Sequence, residues 1–380
     1  MNHRLAISIS IALLFVVGLA NAELKVEVPS TEKLPEASPH WMWVNDLSFS
    51  AMEGGKAFLI DGDSGQMKGM LSTGYFFASA LQDNDYQTIY APEVYMSRGT
   101  RGVRTDIIAI YDPKTLEPVD EIIIPPKHFS GVPVIGHSAI SGNDRFIAVY
   151  NFTPAQSVSI VDAKNRKFLH EVETPGCAEV FAAGAMAFNM ICGDGSMLTL
   201  SLDDNGQVTT SRSKKFFDPK GDMIDDKMAP YGGYWAFFTK SGNVQMIDMT
   251  AGEPKFAEQW PLFSSEQRAD QWMLGGFQYA TICETTGDLY VLVHRGGKYT
   301  HKNPGMDVWV YGLESKKRKR MISLTHPAAS IQVTQDAKPL LFTADLEHSG
   351  VHVYDADTGV HRHDVAELST NPVLFWPVKP

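Results

Sequence analysis

One pattern recurs seven times along this chain and restricts its fold more than any other feature: a short apolar run ends in a small residue and enters a turn. The runs are 57–61, 108–112, 158–162, 197–203, 244–248, 308–312 and 351–355. Six end in Asp (Asp61, Asp112, Asp162, Asp203, Asp248 and Asp355) and one ends in Gly312. Turn-forming residues follow each run, and then a further strand-like run, as at 66–71, 118–124, 167–172 and 360–365. Equivalent positions lie 41 to 64 residues apart, which suits a four-stranded blade with its loops, roughly 40–50 residues in propeller repeats. Another set of apolar strands, at 146–150, 234–238, 288–293 and 339–343, stands between the hairpins. Helical periodicity is scarce, with one helix start at Ser264-Ser265-Glu266-Gln267. A β-sandwich needs only about 100 residues and leaves the repeat number unexplained. The expectation is an all-β chain, a seven-bladed β-propeller of four-stranded antiparallel blades spanning residues 23–380.

Residues 1–22 read as a secretory signal peptide. Arg4 precedes an almost wholly apolar stretch at 5–19, and Ala20-Asn21-Ala22 offers small residues at the positions a signal peptidase reads. The stretch falls short of the ~20 residues a membrane-spanning helix needs, and no later segment reaches 18 uninterrupted apolar residues. Cleavage after Ala22 and export, to the periplasm in a bacterial host, are expected, without a membrane anchor. Of the 380 residues 44% are hydrophobic, which excludes disorder and supports a packed core. The net charge of -11 argues against a nucleic-acid partner, since phosphate neutralisation needs a cationic face.

Three cysteines cannot staple a small disulfide scaffold. Cys177 and Cys192 flank the turn-like Ala182-Ala183-Gly184, so adjacent antiparallel strands would bring them within bonding range. In an exported protein a disulfide is expected, against the alternative of two reduced core thiols. Cys283, in the apolar stretch Ala280-Thr281-Ile282-Cys283, reads as buried and inert. His348, His352, His361 and His363 cluster in sequence, but no zinc-ligand spacing accompanies them. They read as surface cross-strand histidines, and no metal site is expected. Lys316-Lys317-Arg318-Lys319-Arg320 reads as a solvated hairpin turn or a docking surface for an acidic partner. No phosphate loop, Gly-x-Ser-x-Gly elbow or paired catalytic carboxylate stands out, so no catalytic residue is assigned to this chain.

Several stretches carry a family resemblance. Arg98-Gly99-Thr100-Arg101-Gly102-Val103-Arg104-Thr105-Asp106, Glu121-Ile122-Ile123-Ile124-Pro125-Pro126-Lys127, Ile191-Cys192-Gly193-Asp194-Gly195, Trp272-Met273-Leu274-Gly275-Gly276 and Thr300-His301-Lys302 together resemble the large (heavy) subunit of methylamine and aromatic amine dehydrogenases. The resemblance implies a periplasmic heterotetramer of two large and two small subunits. It implies that the small, disulfide-rich subunit carries tryptophan tryptophylquinone, made from two of its own tryptophans. That group oxidises a primary amine to aldehyde and ammonia and passes electrons to a small blue copper protein. The seven Trp of this chain are scattered and its three Cys cannot build the small-subunit framework, so no cofactor is expected here. In the family one Phe of the large subunit lines the channel to the quinone. The stretch Val44-Asn45-Asp46-Leu47-Ser48-Phe49 matches that region, which makes Phe49 the candidate channel residue, the alternative being a plug of the propeller core. The Arg98 to Asp106 run reads as a structural loop with Arg and Asp hydrogen bonds.

Two other readings compete with an amine dehydrogenase large subunit. One is an exported propeller acting only as a binding or scaffold module. The other is a propeller enzyme acting alone, such as a lactonase-like hydrolase, which requires an axial cluster of metal ligands.

Overall fold

Why the repeat takes the form it does follows from the order of strands within each sheet. A computed structural model describes residues 32–47, 51–75, 80–129, 131, 134–297, 299–365, 368 and 371–380. Residues 1–22, read above as a signal peptide, and Phe49 therefore lie outside the described residues. Residues 33–380 form one unit of seven antiparallel sheets. The strands of blade 1, from the axis outwards, are Pro372–Pro377, Trp41–Asp46, Lys56–Asp61 and Gln66–Ser72. Blades 2 to 4 begin at the axis with Leu81–Gln82, Ser138–Ile140 and Cys177–Ala183. Blades 5 to 7 begin with Ile224–Tyr231, Ala280–Cys283 and Ser330–Val333. First strands of neighbouring blades touch around the axis, blade 2 with 3, 3 with 4, 5 with 6, 6 with 7 and 7 with 1. The chain is the expected all-β, seven-bladed β-propeller.

The second and third strands are sealed on both faces. In blade 3 every residue of Phe146–Asn151 and Ser157–Asp162 is buried, whereas the fourth strand, Lys167–Glu173, is partly exposed throughout. Continuous apolar runs mark the inner pair, and a polar outer strand blunts the sheet edge. The recurring Asp closes the turn that follows the third strand. Asp203 Oδ1 accepts the backbone N–H groups of Asn205 and Gln207, both at 2.8 Å. Asp112 Oδ1 accepts those of Lys114 (2.7 Å) and Thr115 (3.2 Å), and Asp162 accepts that of Asn165 (2.8 Å). The side chain thus holds the reversal that the backbone alone would leave unsatisfied. In blade 6 Gly312 takes this place, and a backbone bond closes the turn, Lys316 N–H donating to Gly312 O at 2.8 Å.

The ring is closed by the two ends of the chain. Pro372–Pro377 pairs with Trp41–Asp46, placing Trp376 opposite Trp43. Their rings stack with centroids 6.0 Å apart and planes 13° from parallel, and Trp43 Nε1–H donates to the Tyr86 hydroxyl of blade 2 at 3.2 Å. Val378 N–H donates to Trp41 O at 3.1 Å.

Cys177 and Cys192 face each other across the first two strands of blade 4 and are joined as the expected disulfide. Cys283 is buried, with its thiol 3.5 Å from Asp336 O. Helix Ser265–Ala269 carries the anticipated start: Ser264 Oγ accepts from Gln267 N–H, and Gln267 Oε1 accepts from Ser264 N–H. The basic run is a hairpin, but not a wholly solvated one. Lys319 and Arg320 pair with buried Asp288, and Arg318 lies 4.3 Å from the centroid of the Trp309 ring. Among the described residues no helix is long and apolar enough to cross a membrane.

Trp43 is fully buried at the closure, so Trp43→Ala should cost about 3–5 kcal/mol, read as a lower denaturant midpoint. An unchanged midpoint would show that the closure does not limit stability. Replacing Cys177 and Cys192 together with Ala should cost roughly 3 kcal/mol in the same assay.

Candidate functional site

Charged residues have no place in the middle of a propeller unless something there requires them. Three consecutive ones, Asp225, Asp226 and Lys227, open the innermost strand of blade 5, and Glu179 stands near the start of the innermost strand of blade 4. With His137, from the 3-10 turn Ile135–His137 that enters blade 3, they mark one end of the axis. A cavity of about 310 Å³ lies here, lined by Glu179, His137, Asp226 and Lys227 together with the rings of Phe129, Tyr150, Phe152 and Phe277. At the other end a cavity of about 320 Å³ is bounded by residues such as Ala182, Pro230, Ile282 and Trp376, which come late in their strands.

The backbone bends to place Glu179. Strand pairing loses register between Ala178 and Phe181, and Glu179 sits at φ 58° in the left-handed region. Gly136 gives it room, since a Cβ there would lie 2.7 Å from Glu179 Cβ. Glu179 Oε2 has no hydrogen-bond partner among the described residues. Burial, then Asp226, pushes its pKa well above the usual carboxylate range, with Lys227 opposing. Burial also works against charge on Asp226 and Lys227, but each supports the other: Lys227 keeps Asp226 ionised, and Asp225 and Asp226 keep Lys227 charged. Tyr279 donates to Asp225 Oδ2 at 3.2 Å. The pair His128 and His137 is neutral. Burial lowers His128 to about 3, helped by His137 and Arg104, and lowers His137 to about 4.

Asp106 fixes this end of the ring from blade 2. It is fully buried and takes a two-point contact from Arg104, Nε to Oδ1 at 2.6 Å and Nη2 to Oδ2 at 2.7 Å. Arg104 also donates to His128 O at 2.6 Å, and His128 N–H donates to Asp106 Oδ2 at 3.0 Å. The Arg98 to Asp106 run therefore ends in the structural Arg–Asp bonding expected of it, and it holds His128, whose neighbour Phe129 lines the cavity. Thr300-His301-Lys302 spans two cavities. Lys302 lines the axial one, and His301 lines a neighbouring one of about 880 Å³ that also contains Asp225, Trp272 and Tyr299.

Although Phe49 is not described, the residues before it are. The second strand of blade 1 runs antiparallel to the first and so ends at the same axial end as Glu179. There Asn371 N–H donates to Asp46 Oδ1 at 2.8 Å, and Leu47 N–H donates to Asn371 O at 3.1 Å. Leu47 packs with Val373, Leu374 and Phe277, and Phe277 is a wall of the axial cavity. The sequence analysis missed the titratable cluster. Its signal was present in Asp225-Asp226-Lys227, three charges opening a strand whose neighbours are apolar. Nothing in the residues around Glu179 distinguishes it before its backbone conformation is known.

The histidines do not group as the sequence suggested. His352 is buried rather than on the surface, and His363 leaves the others, with Nε2 2.7 Å from Asp63 O of blade 1. A histidine from blade 6, His326, stacks on His352 instead.

Fold and site define a closed seven-bladed propeller with a group of titratable side chains at one end of its axis, walled by aromatic rings. Residues 40–377 match the family described as methylamine dehydrogenase heavy chain (MADH). The chain belongs to the methylamine dehydrogenase heavy chain family. It is 27% identical over 323 residues to the methylamine dehydrogenase heavy chain of Methylophilus methylotrophus, covering 84% of this chain and 79% of that one. To the heavy chain of Paracoccus versutus it is 29% identical, covering 84% and 75%. Among solved structures, dihydro-heme d1 dehydrogenase NirN in complex with DHE superposes with a TM-score of 0.56 at 14% identity, covering 93% of this chain and 78% of that one. A functionally unknown protein from Desulfotomaculum acetoxidans gives 0.57 at 10% identity, covering 89% and 99%. At such identities the superpositions speak to the fold alone.

Because the folded pKa of His137 lies below its unfolded value of 6.5, its contribution is present above pH 6.5 and is lost as pH falls towards about 4. Stability should drop over that window by about 3 kcal/mol from this residue, and His137→Phe should flatten the pH dependence of the denaturation midpoint. An equal slope in the variant would show that His137 is not buried neutral. Separately, Arg104→Ala leaves the buried Asp106 carboxylate unpaired and should cost about 3–5 kcal/mol, measured by thermal and denaturant unfolding.

Proposed function

We propose that this chain is the large subunit of a periplasmic quinoprotein amine dehydrogenase, exported with cleavage after Ala22. In this reading it supports a small subunit that carries tryptophan tryptophylquinone, in an assembly of two large and two small chains. The complex oxidises a primary amine to aldehyde and ammonia, and a small blue copper protein accepts the electrons. The observation that carries the reading is membership of the heavy-chain family over residues 40–377.

The tryptophans of this chain do not fit such a quinone. Its close pairs are Trp43–Trp376 at 6.0 Å and Trp272–Trp309 at 4.9 Å. Each has one ring sealed inside a blade, Trp43 at 0% and Trp309 at 2% exposure, where these rings serve as packing. In this reading the redox group belongs to the partner, and the work of this chain is to shape access. Its aromatic walls exclude water, and the second strand of blade 1 ends, with Leu47, at the end of the axis where those walls stand. Phe49 is assigned as the channel residue that selects the amine by shape and apolar contact.

Co-expression with a short, cysteine-rich exported protein bearing the quinone should yield a complex that reduces a dye in the presence of a primary amine, with neither chain active alone. Full amine turnover by this chain in isolation would overturn the reading. In the complex Phe49→Ala should change the relative kcat/KM for small and large amines by about tenfold while leaving quinone absorbance intact. Unaltered selectivity would remove Phe49 from the channel.

A further inference from the structure

A second group of titratable side chains lies away from the axis, where blade 6 meets blade 7. His352 is in the third strand of blade 7, Gly350–Asp355, in register with Asp364 of the outer strand His361–Val365. Its side chain is only 7% exposed, and its Nδ1 lies 2.7 Å from Asp364 Oδ1. The carboxylate is an acceptor, so Nδ1 carries the proton and Nε2 presents a lone pair. That Nε2 is buried and has no hydrogen-bond partner among the described residues. What it approaches, at 3.9 Å, is Oδ2 of Asp345, itself 1% exposed. Two acceptors facing each other in a buried place repel unless a cation stands between them.

The surroundings hold both groups and add one more imidazole. His348 Nδ1 donates to the same Asp345 Oδ2 at 2.7 Å. His326, from the outer strand of blade 6, stacks on His352 with ring centroids 4.2 Å apart. Ligand atoms of His326, His352 and Asp364 all lie within 4.8 Å of one another. A separation of 3.9 Å is one that a zinc ion spans, with bonds of about 2.0–2.2 Å to nitrogen and carboxylate oxygen. Imidazoles with one carboxylate suit zinc, copper or nickel rather than calcium or magnesium.

We propose that this cluster binds one zinc-type divalent transition-metal ion through His352 Nε2 and Asp345 Oδ2, with His326 as a further ligand, Asp364 orienting the His352 ring and His348 holding the Asp345 carboxylate. The His326 ring is parallel to that of His352, within 6°, so it turns out of the stack to ligate. It is partly exposed, and Thr325 Oγ1 at 3.0 Å is its hydrogen-bond partner. His361, with Nε2 2.7 Å from Asp364 Oδ1, braces that carboxylate from its far side.

The test is titration of the full chain, stripped with chelator, with Zn²⁺ by calorimetry and with Co²⁺ by visible absorption. One ion per chain is expected, with the intense d–d bands of a low-coordinate nitrogen and oxygen site. Asp364→Asn should weaken binding about 10- to 100-fold, as the loss of an orienting carboxylate does elsewhere. The double variant His326→Ala/His348→Ala, at two partly exposed positions, should weaken it at least as much without unfolding the blade. His352→Gln should abolish it. Absence of Zn²⁺ uptake at about 100 times micromolar concentration, or equal affinity in the unaltered chain and the double variant, would overturn the proposal.

Discussion

The pairing of the last strand with the second strand of the same blade, Pro372–Pro377 on Trp41–Asp46, is the contact on which the rest of the molecule depends. A propeller has no core shared by all its blades; each sheet is buried against its two neighbours, and the ring has edges unless its ends meet. Here the ends meet inside blade 1, with Trp43 and Trp376 stacked and Trp43 tied to Tyr86 of the next blade. Closure fixes how far apart the innermost strands stand, and with that the width of the axial cavities. Since Asn371 and Leu47 are bonded at the same junction, closure also fixes Leu47, the last described residue before Phe49.

The axial end has opposing demands. Packing favours apolar side chains at the centre of a ring, yet Glu179, Asp226, Lys227 and His137 are held there. Lys227 lies between Asp225 and Asp226 and offsets their charge, His137 is kept neutral by burial, and Glu179 is pushed towards its protonated form. A register break and a left-handed residue are the local cost of placing Glu179. Bulges next to functional sites re-aim side chains in this way. In the heavy-chain reading this end presents a rigid, aromatic-walled surface to a partner that brings the redox chemistry.

Much of the fold was legible in the sequence because the third strands are uniform. Their apolar runs are buried on both faces, and their terminal Asp makes the same turn bonds in blade after blade. The innermost strands were harder to see. Leu81–Gln82 and Ser138–Ile140 are only two and three residues long, too short to show periodicity, and Ile224–Tyr231 opens with charges that hide its strand character. The disulfide was readable because both cysteines sit on one hairpin. His326 was not readable as a neighbour of His352, because the two belong to different blades and meet only when the sheets are side by side. Glu179 owes its distinction to a backbone angle that composition does not encode.

The central claim is that the ring is held shut by its terminal strand as part of the global fold. Native-state hydrogen exchange measures this directly on the amides of Trp43 and Trp376, an opposed pair whose backbone groups face each other across the closure, since those of Phe375 turn the other way to Gln278. The account predicts that both exchange only through global unfolding, with the same free energy as the amides of Phe146–Asn151 in blade 3. Exchange of the closure amides by a local opening, while blade 3 stays protected, would contradict it.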